Sequence, residues 1–193
     1  CLGGAKNHLI LVPDADPAVA VDGIVASFTG CAGQRCMAAS VLVAVGDCEP
    51  LIEKIVAKAK SMELGPDMGA LIDKAASERL SEALETAVSE GATIRLDGRS
   101  VAAPKGYEGG NWLAPTIIDG AKFEFDCATR ELFGPVLTIV HVDNLQQAMA
   151  FEQSNPYGNA TSVFTSSGAI AQYVTRNATS GMVGVNIGVP VPR

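Results

Sequence analysis

The sequence predicts an α/β fold in which helices cover a mostly parallel sheet. Short apolar runs of strand length recur along the chain, and segments with apolar residues at helical spacing lie between them. Parallel neighbours need long crossover connections, which these helical segments can supply. With 193 residues, no internal repeat and no clear linker, the chain is expected to form one domain. Because ligands of such sheets usually bind beyond the carboxyl ends of the strands, we expect the functional site there.

Strand and helix signals alternate through the first half of the chain. The predicted elements are a strand at 8–12, a helix at 17–28, a strand at 41–45, a helix at 50–62 and a helix at 73–90. Pro13 ends the first strand, and Asp16 is expected to cap the helix that follows. In the last helix the spacing of Leu80, Leu84 and Val88 predicts that all three side chains face inward.

The second half continues the alternation after a polar, glycine-rich loop at 97–111. Strands are predicted at 93–96, 115–118, 136–142, 161–164 and 182–186, and helices at 144–153 and 168–177. The two histidines fall in predicted strands: His8 begins one and His141 lies inside another. Both are therefore expected to be core residues and not catalytic bases.

The composition argues against several classes of function. The net charge is −7 and lysine and arginine form no stripe, so neither nucleic acid nor a membrane surface is an expected partner. The longest apolar run, at 37–45 and interrupted only by Ser40, is too short to span a bilayer. Five cysteines without a CxxC pair, and only two histidines, give no zinc-ligand spacing, so no metal site is expected. Free thiols suit a reducing compartment.

The segment at 33–38, Gly-Gln-Arg-Cys-Met-Ala, places a cysteine in a setting suited to a nucleophile. Cys36 follows a loop that contains Gly30 and Gly33, whose flexibility lets the backbone approach a ligand closely. Arg35 is a neighbouring cation, and positive charge lowers a thiol pKa from about 8.5 toward the reactive thiolate. The alternative is that Cys36 is a small core residue, as many free cysteines are.

A second candidate segment lies at 131–136, Glu-Leu-Phe-Gly-Pro-Val. Glu131 could accept hydrogen bonds from a ribose, and Phe133 could pack beside a planar heterocycle. The alternative is a charged loop residue followed by a core phenylalanine. These two residues alone do not decide between the two interpretations.

Together, the segments at 33–38 and 131–136 resemble the two hallmark segments of the catalytic domain of aldehyde dehydrogenases. Further segments resemble the methylmalonate-semialdehyde dehydrogenase branch: Gly-Ala-Lys-Asn-His at 4–8, Pro-Asp-Ala-Asp at 13–16, Asn-Pro-Tyr-Gly-Asn at 155–159 and Gly-Val-Asn at 184–186. This resemblance implies a three-layer catalytic domain over residues 1–193. It also implies truncation at both ends and an NAD-binding domain outside the chain.

The resemblance implies a defined chemistry and a role for each candidate residue. The Cys36 thiolate attacks the aldehyde, with its own backbone N–H as an oxyanion donor, and the resulting thiohemiacetal passes hydride to NAD. Glu131 holds the nicotinamide ribose, Phe133 packs against the nicotinamide, and Arg35 meets the carboxylate of a small semialdehyde. Coenzyme A then takes the acyl group from the thioester. The full-length protein is expected to be a homo-oligomer, a dimer or a tetramer.

One departure from the family pattern sharpens this expectation. Most aldehyde dehydrogenases carry a glutamate that activates water, whereas the matching position here holds Leu2 or Cys1, depending on the alignment. Loss of a general base slows hydrolysis by about 10²–10⁴-fold, which favours transfer to coenzyme A. A chain that opens on Cys1 is expected to be a fragment without targeting information, from the cytoplasm of a bacterium or the mitochondrial matrix of a eukaryote. The alternatives are a fragment that serves only folding or assembly, or a related semialdehyde dehydrogenase.

Overall fold

Seven strands and six α-helices lie within residues 3–188, the part of the chain that the computed structural model describes. The strands are β1 (Asn7–Leu11), β2 (Ala39–Val45), β3 (Thr93–Leu96), β4 (Thr116–Asp119), β5 (Val136–Val142), β6 (Ala160–Phe164) and β7 (Met182–Val185). The helices are α1 (Pro17–Thr29), α2 (Glu49–Lys60), α3 (Lys74–Ser89), α4 (Asp126–Thr129), α5 (Leu145–Ser154) and α6 (Gly168–Asn177). Every predicted strand and helix is present, with ends within two residues of those predicted.

The strands form a single sheet in the order β3-β4-β5-β2-β1-β6-β7. All neighbours are parallel except β3 and β4, which are antiparallel. This confirms the predicted α/β fold with a mostly parallel sheet. In this order β5, β2, β1 and β6 are consecutive parallel neighbours. The loops that lead into these four strands therefore lie side by side at one edge of the sheet.

Helices cover both faces of the sheet and make three layers. Side chains alternate across a strand, so Leu9 packs with Phe28 of α1 on one face while Ile10 belongs to the cluster of Leu84 on the other. The first face buries α1 and α2, and the second buries α3 and α5. No helix described between residues 3 and 188 has both the length and the apolar character to cross a membrane.

Side-chain caps explain why the helix starts could be predicted. The Asp16 carboxylate accepts hydrogen bonds from the backbone N–H groups of Ala18 at 2.9 Å and Val19 at 3.1 Å. Asp73 accepts from Ala76 N–H at 2.8 Å in the same way. The four-residue α4 has no side-chain cap and is too short to show a periodic pattern, so the sequence did not predict it.

Two sequence expectations about burial are wrong. Val88 is 51% exposed, whereas Ala87 is buried. Four residues turn an α-helix by about 40° more than one full turn, so two such steps from Leu80 rotate Val88 away from the core and leave Ala87 facing it. His141 lies in β5 as expected but is exposed. Its Nε2 lies 2.6 Å from an Asp119 carboxylate oxygen, beside an ion pair of that carboxylate with Arg95. A strand pattern places a side chain on a face but does not show how far the helices cover that face.

Candidate active site

The loop that carries Cys36 leaves α1 through an unusual left-handed turn. Cys31, Ala32 and Gly33 have φ values of 52°, 53° and 67°. Left-handed backbone costs about 1–2 kcal/mol at each residue with a Cβ, so tertiary contacts must hold this turn. Cys36 then lies in a tight turn in which Ala38 N–H donates to the Arg35 carbonyl at 3.0 Å. The Cys36 side chain is exposed and its thiol is free.

Gly33 allows a close contact between this loop and the loop of Gly134. A Cβ on Gly33 would lie 2.0 Å from the carbonyl oxygen of Gly134, so the two backbones touch. Gln34 fixes the same loop from its other side, since its side-chain carbonyl accepts from Ile72 N–H at 2.8 Å. Gly33 therefore allows a close approach to the Gly134 loop, whereas the expectation from sequence was a close approach to a ligand.

The second loop, which leads into β5, presents an aromatic ring outward. Phe133 has φ of 55° and is 41% exposed, while the neighbouring Leu132 is buried. Arg79 of α3 donates to the Leu132 carbonyl and helps to hold this backbone in place. A bulky residue in left-handed backbone is a strained feature, and such strain often accompanies a functional site.

The fold brings Cys36, Glu131 and Phe133 together around one cavity of about 290 Å³. The glycine-bearing segment at 3–5 and Asn159 complete its lining. Asn159 carries no sequence signal of its own that marks it as a site residue, although it lies in the segment at 155–159 that resembles the family.

This cavity lies at the amino-terminal edge of the sheet, so the expectation of a site beyond the carboxyl ends is wrong. Its lining residues immediately precede four neighbouring strands: residues 3–5 precede β1, Cys36 precedes β2, residues 131 and 133 precede β5, and Asn159 precedes β6. The usual rule describes ligands held in the loops that follow strands. Here the loops that lead into the strands carry the chemistry.

Arg35 does not line the Cys36 cavity. Its Nη2 donates to the carbonyls of Ala26 at 3.1 Å and Ser27 at 3.3 Å, in the last turns of α1. The side chain lies across Gly30 and lines a larger cavity of about 730 Å³ between α1, α2 and residues 186–188. Its Nε is buried and has no acceptor within residues 3–188.

Burial separates the cysteines into two groups. Cys48 and Cys127 are buried, and burial raises the pKa of each thiol to about 11, so both remain protonated near neutral pH. Cys31 and Cys36 are exposed and free, and of these only Cys36 lines the cavity. Cys1, together with the expectation about Leu2, lies outside the described residues.

Two buried bases lie at the start of β1, shortly after the cavity-lining residues 3–5. His8 stacks on Phe151 with ring centroids 4.6 Å apart, and burial lowers its pKa to about 3, so it stays neutral in the core as expected. Lys6 is 1% exposed, and its Nζ has no partner within residues 3–188. Burial lowers the Lys6 pKa to about 8, against the opposing effect of the nearby Asp126 and Glu131 carboxylates.

The class that this arrangement defines is a three-layer α/β domain with a free thiol in a cavity at the amino-terminal edge of a parallel sheet. A sequence model of the aldehyde dehydrogenase family matches residues 2–192, and the chain belongs to that family.

Relatives from an animal and from a plant carry a more specific description within this family. A Bos taurus protein described as a mitochondrial methylmalonate-semialdehyde/malonate-semialdehyde dehydrogenase (acylating) is 41% identical over 190 residues, which is 95% of this chain and 35% of that protein. An Arabidopsis thaliana methylmalonate-semialdehyde dehydrogenase (acylating), also described as mitochondrial, is 38% identical over 95% of this chain and 31% of its own length.

Solved structures agree with these relatives. The crystal structure of methylmalonate-semialdehyde dehydrogenase from Oceanimonas doudoroffii has a TM-score of 0.93 at 40% identity, covering 99% of this chain and 41% of that one. A protein from Sinorhizobium meliloti 1021, crystallised in complex with NAD, has a TM-score of 0.94 at 36% identity, covering 100% and 40%. The chain thus spans about a third to two fifths of the length of these relatives.

Proposed function

We propose that this chain forms the nucleophile-bearing part of an NAD-dependent, coenzyme A-acylating semialdehyde dehydrogenase that acts on methylmalonate or malonate semialdehyde. The observation that carries the proposal is the single cavity shared by Cys36, Glu131 and Phe133. Separately, each residue has an ordinary structural explanation. The descriptions of the relatives supply the substrate class and the word acylating.

In this proposal Cys36 supplies the nucleophile. Its Sγ adds to the aldehyde carbon as a thiolate, and the carbonyl oxygen takes the negative charge. No group within residues 3–188 accepts the Cys36 backbone N–H, so that donor is free for the oxyanion. A fixed donor aimed at developing charge is worth about 10²–10³-fold in rate.

The cavity suits the nicotinamide end of NAD. A space of about 290 Å³ can take the ring and part of a ribose but not the whole dinucleotide. Phe133, held outward by its left-handed backbone, offers a face for the ring, and Glu131 offers acceptors for ribose hydroxyls. When bound, NAD would supply the acceptor for the hydride of the thiohemiacetal carbon, and the acyl group would remain on Cys36 as a thioester. The rest of the cofactor would be held by parts of the protein beyond this chain.

Arg35 is proposed to meet the substrate carboxylate from the side of the larger cavity. Its buried Nε has no acceptor within residues 3–188, and leaving a donor unpaired costs about 1–3 kcal/mol. In this proposal the substrate carboxylate pairs with the charge of the guanidinium.

Coenzyme A is proposed as the acyl acceptor. Within residues 3–188, Glu131 is the one carboxylate that lines the Cys36 cavity, and the proposal assigns it to the ribose. Water would then lack a carboxylate general base among the described residues that line this cavity, whereas a thiol needs less help to attack a thioester.

A Cys36→Ser variant of the full-length protein tests the nucleophile. Wild type should show a burst of NADH and a thioester adduct by intact mass when coenzyme A is withheld, and Cys36→Ser should show neither. Cys31→Ser is the matched control, because Cys31 is the other exposed cysteine among residues 3–188 but does not line the cavity. Normal turnover in Cys36→Ser, or loss of the burst in Cys31→Ser alone, would refute the assignment.

The substrate preference and the identity of the acyl acceptor are tested by separate measurements. Arg35→Gln should raise KM for carboxylated semialdehydes far more than for propanal, and an equal rise for both would remove Arg35 from the proposed carboxylate site. Product analysis should show acyl-coenzyme A as the main product, whereas free acid as the main product would indicate hydrolysis.

The chain alone is proposed to lack dehydrogenase turnover, because it supplies groups for only one end of NAD. The full-length protein is proposed to be a homo-oligomer, which light scattering would identify as a dimer or a tetramer. Isolated-chain activity equal to that of the full-length protein would contradict the first of these two proposals.

A further inference from the structure

We propose that the carboxamides of Asn7 and Asn159 clasp the backbone carbonyl of Cys36 and thereby position its thiol and N–H for attack. The inference rests on the proposed role of Cys36 as nucleophile. It adds two positioning residues, Asn7 and Asn159, to the groups that line the cavity.

The clasp consists of two hydrogen bonds to one oxygen. Asn7 Nδ2 donates to the Cys36 carbonyl at 2.9 Å, and Asn159 Nδ2 donates to the same oxygen at 2.8 Å. A carbonyl oxygen has two lone pairs, so both bonds can form together.

The two donors are themselves fixed by the sheet. Asn7 begins β1, is 1% exposed and accepts from Ala160 N–H at 3.1 Å through its side-chain oxygen. Asn159 immediately precedes β6 and is 8% exposed, and Met182 N–H donates to its carbonyl at 3.1 Å. The Cys36 carbonyl is therefore held from β1 and from β6, on short side chains with little freedom to move.

The consequence for Cys36 is a backbone fixed on both sides. The peptide before it is held by the Ala38 N–H bond to the Arg35 carbonyl, and the peptide after it by the clasp. The side-chain torsion is then the main remaining freedom of the thiol. An error of about 1 Å in the placement of a reacting group can cost about 10²-fold in rate, so such fixation matters for the chemical step.

The two asparagines differ in what else they do, and this makes Asn159 the better test. Asn7 also donates to the Ala38 carbonyl at 2.9 Å, where the β1–β2 register shifts, so it has a structural task. The Asn159 side chain makes no other hydrogen bond within residues 3–188 and lines the cavity. A merely structural role predicts lower stability on its removal without a specific effect on the thiol.

The experiment uses the full-length protein with Asn159→Ala and Asn159→Asp. Both variants should lower the NADH burst rate by about 10²-fold, while KM for the semialdehyde stays within about threefold of wild type. In iodoacetamide alkylation against pH, Asn159→Ala should lower the plateau rate of Cys36. Asn159→Asp should also move the profile to higher pH, because its carboxylate places a like charge beside the thiolate.

Asn155→Ala is the matched control. Asn155 lies in the same turn and donates to the Lys6 carbonyl at 2.6 Å, so its removal loosens the turn but removes neither hydrogen bond to the Cys36 carbonyl. An unchanged burst and alkylation plateau in both Asn159 variants, or an equal loss in Asn155→Ala, would overturn the inference. Failure of the proposed function looks different, since wild type itself would then show no burst, and the alkylation profiles would still test the clasp.

Discussion

Replacing Gly33 with alanine is expected to push apart the two loops that form the Cys36 cavity. An alanine Cβ at this position would lie 2.0 Å from the Gly134 carbonyl oxygen and 2.3 Å from its carbonyl carbon. Real contacts of a Cβ essentially never fall below 3.0 Å, so the loops must separate by about 1 Å. A shift of about this size at Cys36 relative to Phe133 should lower the burst rate by about 10²-fold.

The stability cost has two parts that a control variant separates. Left-handed backbone at φ of 67° costs an alanine about 1–2 kcal/mol, and overpacking of a tight contact adds about 1–3 kcal/mol. Gly120 has a similar φ of 72°, but a Cβ there would meet no atom within 4 Å. Gly33→Ala should therefore lower the free energy of unfolding by about 2–5 kcal/mol, and Gly120→Ala by about 1–2 kcal/mol.

Urea unfolding of the chain, followed by the fluorescence of its single tryptophan Trp112, measures both free energies. The burst rate of the full-length protein measures the effect on the site. If Gly33→Ala costs no more than Gly120→Ala, the two loops do not constrain each other, and this account of the cavity is wrong.

Two further predictions concern protonation and packing. The hydrogen bond to Asp119 raises the pKa of His141, so its stabilising contribution is complete below the unfolded value of about 6.5 and is lost as pH rises through the folded pKa. Asp119→Asn should lower the His141 pKa, which an NMR titration measures. His8 does not interfere, because its pKa of about 3 keeps it from titrating near neutral pH. An unchanged midpoint for His141 would contradict its pairing with Asp119. Leu84 is buried and Val88 is half exposed. In urea unfolding, Leu84→Ala should lower the free energy of unfolding by about 2–5 kcal/mol, and Val88→Ala by about 0.5 kcal/mol or less. Equal losses would mean that α3 packs in another orientation.

The sequence predicted those features of the fold that depend on neighbouring residues. The caps at Asp16 and Asp73 act within one helical turn, so a short stretch of sequence reveals them. The error at Val88 arose where a local pattern was extended over several turns, and the error at His141 arose because burial depends on distant elements. The four residues of α4 are too few to show the periodic spacing of apolar residues that predicts a helix.

For the site, the sequence by itself determined the chemical groups: a thiol at Cys36, a carboxylate at Glu131 and a ring at Phe133, each with an open structural alternative. Only the tertiary structure decided that these groups share one cavity, that it lies at the amino-terminal edge of the sheet, and that Arg35 faces a different cavity. It also revealed the clasp on the Cys36 carbonyl. The physical reason is that β5, β2, β1 and β6 become neighbours only when the whole sheet assembles, and this pairing brings loops far apart in sequence to one edge.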